Sequence, residues 1–362
     1  MLRNCTYVSE MRAEPAFPEH KTRVGYEMRY LILATLTLCA AQSAAQQPAT
    51  HIDAARHEVS FDVGPFDVPS MNMHAMHGMA HDPVTHTLYQ FAWPVEGYAK
   101  GFRVEVRDAR GRLLPVSLLH HVTGVTLDRR QYIYPAAERL FGIGKETEDV
   151  MLPGKLAVPL EKGQRIGYYV MWNNDTGKDL KGLTVRVVMT WAPAAVTREL
   201  IAVLPLWLDV NNEVGGTNTF DLQPGKSTRT FEFTAPTSGR ILGISGHLHD
   251  YGVAMQLVDA ESGAVLVRLP ATKDAAGRIK SIARKFYAVN PIHLREGHRY
   301  RVVAEYDSPL KQPVAKGAMG NIVGVIAPDD LKRWPSLNPA DPSVQRDLAS
   351  LGLSPASRPG TQ

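Results

Sequence analysis

Residues 240–269 read RILGISGHLHDYGVAMQLVDAESGAVLVRL, and their pattern is the clearest indication of the fold class. Apolar and polar residues alternate on both sides of AESG (260–263), a pattern typical of antiparallel strands joined by a turn. The alternation recurs in residues 101–119, 183–191 and 299–307, whereas helical signals are few and short. Many short strands with regular turns are typical of β-sandwiches and jelly rolls. The sequence therefore predicts an all-β protein of two tandem jelly-roll β-sandwich domains, with short helices only in the connections and the tail.

The length and composition fit a chain of about two domains. The 362 residues are 44% hydrophobic and 21% charged, which is ordinary for a globular protein. The formal net charge of +4 comes without a block of basic residues, so nucleic acid binding has no support. We predict an N-terminal domain at 46–195, a C-terminal domain at 196–335 and a poorly ordered, Pro/Ser-rich tail at 336–362.

The N-terminal residues have the pattern of a secretory signal peptide. Residues 28–45 combine a basic start, a short apolar run and a small-residue cleavage site, and Met28 is a candidate for the true start. The apolar run is shorter than the roughly 20 residues that cross a bilayer. We therefore expect residues 1–45 to be removed and the mature protein to be periplasmic or secreted, not an integral membrane protein. A lipid anchor at Cys39 is not expected, because Leu38 fits the lipoprotein cleavage rule poorly.

Removal of residues 1–45 also removes both cysteines, Cys5 and Cys39. An exported chain without disulfides depends on its hydrophobic core for stability. Thiolate chemistry and Cys-based metal sites are excluded as well. A metal site in the mature chain would therefore use His as its nitrogen ligand and Met as its soft ligand.

The histidine pair in SGHLHDYG (245–252) is the first candidate metal site. Side chains i and i+2 of a strand face the same side, so His247 and His249 project together. Such a pair is a bidentate ligand for copper, zinc, nickel or iron. The alternative is two polar residues on a solvated strand face.

A second pair, His120 and His121, follows a strongly apolar strand in LLHHVTGV (118–125). Adjacent residues on a regular strand point in opposite directions, so joint metal binding requires a β-bulge or a strand end here. The alternative is one histidine at the edge of the core and one in solvent.

Residues 70–81, SMNMHAMHGMAH, are rich in sulfur and nitrogen ligands. Thioethers favour Cu(I), and imidazole accepts either oxidation state of copper. Such Met spacing also occurs in helical cores, but Gly78 and the lack of bulky aliphatic residues favour an exposed loop. The candidate copper ligands of this Met/His-rich loop are Met73, His74, Met76, His77 and His81.

The HxH pair and a downstream methionine resemble the copper type II, ascorbate-dependent monooxygenase family, which includes peptidylglycine α-hydroxylating monooxygenase and dopamine β-monooxygenase. In that family the catalytic copper is bound by an HxH pair and a distant Met followed by x-Asn. Here His247 and His249 are followed, at the family's spacing, by Met319 and Asn321 in AMGNIVGV. The resemblance implies that His247, His249 and Met319 are the catalytic copper ligands.

The resemblance covers roughly residues 55–330 and is strongest from 196 to 326. It implies two jelly-roll domains that each hold one copper, on opposite sides of a solvent-filled cleft. The second copper of the family donates electrons and is bound by an adjacent His pair and a third His in a later strand. Here His120 and His121 match the pair, but the later position in YYVMWNNDTGK is Met171.

Three alternatives follow for this electron-donor site. Met171 binds Cu(I), the Met/His-rich loop supplies the missing ligand, or the site is degenerate and the electron supply is broken. The peptide-amidating members also hold a substrate carboxylate with an Arg before the HxH pair and a Tyr after the copper Met. This chain has Ser245 and Val323 at those positions, so a C-terminal peptidylglycine substrate is not expected.

The expected function is that of an exported copper-binding oxidoreductase that hydroxylates a C–H bond of a small-molecule or unidentified substrate. Its cofactor would be one or two copper ions, and its co-substrates O2 and an external, ascorbate-like reductant. A periplasmic copper carrier without oxygenase activity, supplied by a copper-donor partner, is the main alternative. A jelly-roll glycan-processing or adhesion module with incidental histidines is the third.

Overall fold

The computed structural model describes residues 49–70, 87–144 and 149–353, and the predicted signal peptide lies outside them. The strands of the described residues form two β-sandwiches in succession. The first contains β1 (Ala49–Asp53), β2 (Glu58–Val68), β3 (Tyr89–Ala92), β4 (Gly97–Arg107), β5 (Leu113–Leu114), β6 (Leu119–Arg130), β7 (Ala137–Gly144), β8 (Val150–Met151), β9 (Leu156–Leu160), β10 (Arg165–Trp172), β11 (Leu180–Pro193) and β12 (Ile201–Ala202).

The second sandwich follows directly along the chain. It contains β13 (Leu204–Asp209), β14 (Thr219–Leu222), β15 (Gly225–Thr234), β16 (Gly239–Leu248), β17 (Gly252–Asp259), β18 (Val265–Lys273), β19 (Ile279–Ile282), β20 (Lys285–Phe286), β21 (Ile292–Leu294), β22 (Arg299–Ser308) and β23 (Val314–Pro328).

In the first sandwich, a sheet in the order β1-β2-β11-β4-β9-β12 packs on a sheet in the order β3-β10-β6-β7, and β5 and β8 also pair with β4. The alternation of β2 places Val59, Phe61 and Val63 in the core. The hydroxyl of Tyr168 on β10 donates to the Phe61 carbonyl on β2 at 2.9 Å, which links the two sheets through the core.

In the second sandwich, the sheet β13-β23-β16-β20 also carries β14 and β21, and it packs on the sheet β15-β22-β17-β18-β19. The stretch 240–269 contributes β16 to one sheet and β17 and β18 to the other. β17 and β18 form the predicted hairpin, and its turn ends at Gly263, whose φ of +76° is easily adopted only by glycine. This stretch therefore contains both a crossing between sheets and a hairpin.

The predicted all-β fold of two jelly-roll β-sandwich domains is confirmed. Helices in the described residues are short and lie in connections and in the tail: three 3₁₀-helices (Val116–Leu118, Ala194–Glu199 and Leu331–Arg333) and α1 (Pro342–Ser350). None of the helices in this part of the chain is long and apolar enough to cross a membrane. β12 still pairs with β9, so the first sandwich continues beyond the predicted boundary at residue 195.

The tail was predicted to be poorly ordered, but it contains the ordered helix α1. Asp341 caps this helix by accepting a hydrogen bond from the Ser343 N–H at 2.7 Å. The buried carboxylate of Asp347 forms an ion pair with Arg139 of β7 at 2.6 Å and also accepts from the Ala137 N–H. The helix is ordered because these contacts to the first sandwich hold it, which its Pro/Ser-rich surroundings did not reveal.

Both sandwiches lie within one compact unit of the chain, Ala45–Gln362. The connection between β6 and β7 reaches into the second sandwich, where the Tyr134 hydroxyl donates to the Asp209 carbonyl at 3.2 Å and accepts from the Asp209 N–H at 2.9 Å. Trp207 of β13 packs on β7, close enough that a Cβ added to Gly142 would lie 3.2 Å from the indole. These contacts fix the face of the second sandwich that points toward the first.

Candidate metal centre

His247 lies near the end of β16, and His249 follows the last residue of that strand. Gly246 faces the core, since a Cβ added there would lie 2.9 Å from Cγ of Met255. Because side chains alternate along a strand, His247 points to the opposite face of the sheet. Both imidazoles line a cleft on that face.

Met319 lies on β23, the neighbour of β16 in the sheet. The register pairs His247 with Asn321 and Leu248 with Gly320, so Met319 is the next residue of β23 beside His249. Gly320 faces the core, because an added Cβ would lie 2.6 Å from Cβ of Ala304. Met319 therefore faces the same cleft as the two histidines, and the structure brings these three predicted site residues together.

Tyr306 fixes the backbone around this group. Its hydroxyl accepts hydrogen bonds from the N–H groups of His249 and Met319, each at 3.1 Å, and donates to the Met319 carbonyl. The side chain is 2% exposed, and burial raises the pKa of its hydroxyl above the usual value. The role of Tyr306 could not be predicted from the sequence, because its alternating strand indicates a core position but not a hydrogen bond to the site.

Asp209, Asn321 and His247 lie side by side on β13, β23 and β16. Residues directly opposed in an antiparallel pair face the same side of the sheet, so these three form a polar row. Burial raises the pKa of Asp209 to about 6. The hydrogen bonds from Asn321 and Asn218 and the nearby His247 ring lower this pKa, but by less than burial raises it. Asp209 was also missed, because an acid at the end of a strand gives no local sign of burial.

His120 and His121 lie at a β-bulge in β6, which is the condition that joint metal binding required. Met171 pairs with His121 and Trp172 with Leu119, which leaves His120 as the extra residue. The two imidazoles are partly exposed, and their ring centroids are 4.2 Å apart. Met171 lies directly opposite His121 on the same side of the sheet.

The two histidine pairs meet at the boundary between the sandwiches. The ring centroids of His121 and His247 are 5.3 Å apart, and those of His247 and His249 are 5.5 Å apart. The resemblance implied two sites on opposite sides of a solvent-filled cleft, but here both pairs belong to one group. We refer to His120, His121, His247 and His249 as the imidazole cluster.

The imidazole cluster lies in a cleft of about 1150 Å³ between the sandwiches. Met171 and Met319 line the same cleft. Much of its wall is apolar and includes Phe102, Phe141, Trp207, Phe286, Val323 and Val325. The wall also carries basic side chains, among them Lys280, Arg284 and Lys316. A concave, largely apolar site with a few polar groups is typical of small-molecule binding.

The donors in this cleft fit copper by their chemistry. Imidazole suits copper in either oxidation state and thioether favours Cu(I), and each histidine pair has a methionine beside it. Within residues 49–70, 87–144 and 149–353, no group of three or more His, Cys, Asp or Glu side chains could hold a metal ion. The candidate sets are therefore mixed, with imidazoles and a thioether together.

Five of the predicted ligands, Met73, His74, Met76, His77 and His81, lie outside the described residues, so their role stays a prediction. The start of their segment is fixed near the first histidine pair. Asn174, just after β10, donates from its side chain to the carbonyls of Val68 and Pro69 at 3.0 and 3.2 Å. Ser70 donates its N–H to Asp179 at 2.9 Å. The chain therefore leaves β2 close to the end of β10 that carries Met171.

Comparisons with known proteins add little to this site. No family model matches the chain, and no curated protein matches it. The major capsid protein P2 from Bacteriophage PM2 is 8% identical over 75% of this chain and 98% of that chain, with a TM-score of 0.37. PNGF-II, solved in the P21 space group, is 12% identical over 74% of this chain and 66% of that chain, with a TM-score of 0.35. Likenesses this weak indicate neither a family nor a function for the chain.

Proposed function

We propose that the chain is a copper-dependent oxidoreductase that hydroxylates a C–H bond of a small molecule with O2 and an external, ascorbate-like reductant. One observation carries the proposal: four imidazoles and two thioethers from both sandwiches line a single large cleft. The resemblance of the HxH pair and Met319 to copper monooxygenases supports the same chemistry. The predicted signal peptide supports a periplasmic or secreted location for this activity.

The ligands proposed for copper come from both sandwiches. His247, His249 and Met319 are the catalytic set, and His120 and His121 with Met171 are the set on the first sandwich. Two imidazoles and a thioether stabilise Cu(I). Bound copper would supply the one-electron chemistry toward O2 that the side chains of this chain lack.

The protein itself holds these ligands in place. Tyr306 ties the backbones of His249 and Met319 together, so the two ligands keep a fixed separation. The aromatic and aliphatic walls of the cleft can bind the apolar part of a substrate. When surrounding groups hold metal ligands in one orientation, those ligands bind the metal more tightly.

The cleft favours a substrate other than a C-terminal glycine-extended peptide. Ser245 and Val323, which replace the carboxylate-binding Arg and Tyr of the peptide-amidating members, lie opposite each other on β16 and β23. Neither side chain can neutralise a carboxylate there. Positive charge is supplied instead by Lys280, Arg284 and Lys316 elsewhere in the cleft, which favours a substrate with an anionic group at a different position.

The test is ascorbate-driven O2 consumption by the mature, copper-loaded protein after removal of unbound copper. We expect the protein to consume O2 faster than the protein-free solution from the step that removes unbound copper. This O2 consumption should be lost in His249→Ala and Met319→Ala. His51→Ala is the matched control, because the His51 side chain is 58% exposed and lies outside the cleft. A wild-type rate equal to that of both ligand variants would refute the proposal.

A copper carrier is the second candidate, and the position of Met171 favours it. Met171 lies opposite His121, where the resemblance implies a third histidine. A set of two imidazoles and a thioether favours Cu(I) and suits storage and transfer to or from a partner. Stoichiometric Cu(I) binding without ascorbate-driven O2 consumption would support this function over the oxidoreductase.

A further inference from the structure

His121 and His247 belong to different sandwiches, yet their rings are in contact. Their centroids are 5.3 Å apart and their planes are inclined by 71°. On either side of this contact, the centroids of His120 and His121 are 4.2 Å apart, and those of His247 and His249 are 5.5 Å apart. The spacing across the boundary thus lies between the spacings within the two pairs.

Imidazoles that bind one metal ion have a characteristic spacing. A metal–imidazole bond is about 2.0–2.1 Å and the ring centre is roughly 1.1 Å further, so two imidazoles on a tetrahedral metal have centroids about 5 Å apart. The 5.3 Å between His121 and His247 agrees with this value. Two metal sites that belong to separate domains would not need such a contact.

Strand pairing, together with the connection between β6 and β7, positions the two rings. His121 belongs to β6, between β10 and β7, and His247 belongs to β16, which pairs with β23. Tyr134, in the connection between β6 and β7, exchanges two hydrogen bonds with the backbone of Asp209, which lies in register with Asn321 and His247. A continuous series of hydrogen bonds and strand pairs therefore runs from the first sandwich to His247.

We propose that His121 and His247 bind the same copper ion, so that one centre joins the two sandwiches. This differs from the two separated sites that the resemblance implies. The choice of copper rests on the proposed function, whereas the sharing rests on the ring spacing. Because metal binding to a folded site adds to the free energy of unfolding, a shared ion would stabilise the arrangement of the sandwiches.

The experiment is a thermodynamic cycle for metal binding by the full mature chain. Zn(II) and Cu(II) are titrated separately into the wild type, His121→Ala, His247→Ala and the double variant, with His51→Ala as the control. Zn(II) has no redox chemistry, so it reports shared binding independently of oxidoreductase activity. The thermal midpoint of each metal-free variant shows whether it folds, and His121→Gln and His247→Gln replace any alanine variant that does not.

We expect each single substitution to weaken the binding of the same ion by at least about tenfold, since losing even a hydrogen-bonding partner of a metal-bound histidine typically costs about 10–100-fold. The double variant should lose less than the product of the two effects, as coupled residues do. Three results would each overturn the proposal. They are effects of the two substitutions that multiply, a metal affinity at His247 and His249 that is unchanged in His121→Ala, and no stoichiometric metal in the wild type. A shared ion without ascorbate-driven O2 consumption would leave it standing and refute only the proposed function.

Discussion

Met171 on β10 lies directly opposite His121 on β6, and both side chains face the cleft between the sandwiches. A thioether beside an imidazole favours Cu(I), because soft sulfur binds the softer oxidation state more strongly. Met171→His should therefore bind Cu(II) more tightly relative to Cu(I) than the wild type does.

We expect the ratio of the Cu(II) and Cu(I) affinities to change by about tenfold in Met171→His, which lowers the midpoint potential by about 59 mV for one electron. Competition titrations in each oxidation state and redox titration measure the two quantities. Met151→His is the control, because Met151 is exposed and does not line the cleft. An unchanged potential in Met171→His would mean that this methionine does not bind copper.

Tyr306→Phe should weaken both folding and copper binding. It removes the hydroxyl that accepts the backbone N–H groups of His249 and Met319. We expect a loss of about 1–3 kcal/mol in the free energy of unfolding, because buried donors are left without an acceptor. Copper affinity should fall as well, since both proposed ligands lose a fixed backbone position.

Tyr300→Phe separates these two effects. The Tyr300 hydroxyl accepts from the Arg295 N–H at 2.9 Å, and its side chain is 2% exposed, but it does not line the cleft. This variant should lose a similar amount of stability with unchanged copper affinity. Equal effects of the two variants on copper binding would argue against a positioning role for Tyr306.

The parts of this fold that depend on neighbouring residues were predictable from the sequence. The alternation in residues 240–269 marked β17 and β18, and AESG marked their turn, because the pleat of a strand and the chemistry of a turn are local. The bulge at His120 depends on the register with β10, so it could be stated from the sequence only as a condition for metal binding. The condition is met in the structure.

The contacts between distant parts of the chain were not predictable. The meeting of His121 and His247 depends on how two sandwiches pack, and no pattern within either one encodes it. Arg139 and Asp347 form an ion pair across 208 residues of sequence. The composition around Asp347 predicted a poorly ordered tail, because composition is a local property. It carries no information about Arg139, the partner that holds the tail from a distant part of the sequence.

Asp259 should make the β17–β18 hairpin dependent on pH. Its carboxylate accepts hydrogen bonds from the N–H groups of Ser262 and Glu261 at 2.9 and 3.0 Å. The Ser262 N–H, with further bonds from His298 and Glu261, lowers the pKa of Asp259 from 3.8 to about 2. Since the folded pKa is the lower one, the charged carboxylate stabilises the fold above about pH 4. This stabilisation is lost as the pH falls toward 2.

Asp259→Asn should therefore melt at a lower temperature than the wild type at pH 5, and the difference should narrow steadily as the pH falls from 4 toward 2. Thermal denaturation of metal-free protein across this range measures the difference. Asp53→Asn is a control, because Asp53 accepts only a single backbone bond, from Arg56, in an exposed turn. A difference that is the same at pH 5 and pH 2.5 would contradict the assignment.

The ion pair of Arg139 and Asp347 should hold α1 on the first sandwich. The Asp347 side chain is 2% exposed and that of Arg139 is 16% exposed, so removing one partner leaves a charge in a largely buried place. We expect Asp347→Ala to cost about 3–5 kcal/mol in the free energy of unfolding, as for other broken buried pairs. The double variant Arg139→Ala/Asp347→Ala should lose less than the sum of the single losses, because neither charge is left alone.

Arg346→Ala, on the exposed side of the same helix, should change stability by less than about 0.5 kcal/mol. Denaturant unfolding gives these values, and limited proteolysis after residue 336 reports release of the helix. Additive losses with an intact tail would show that other contacts hold α1.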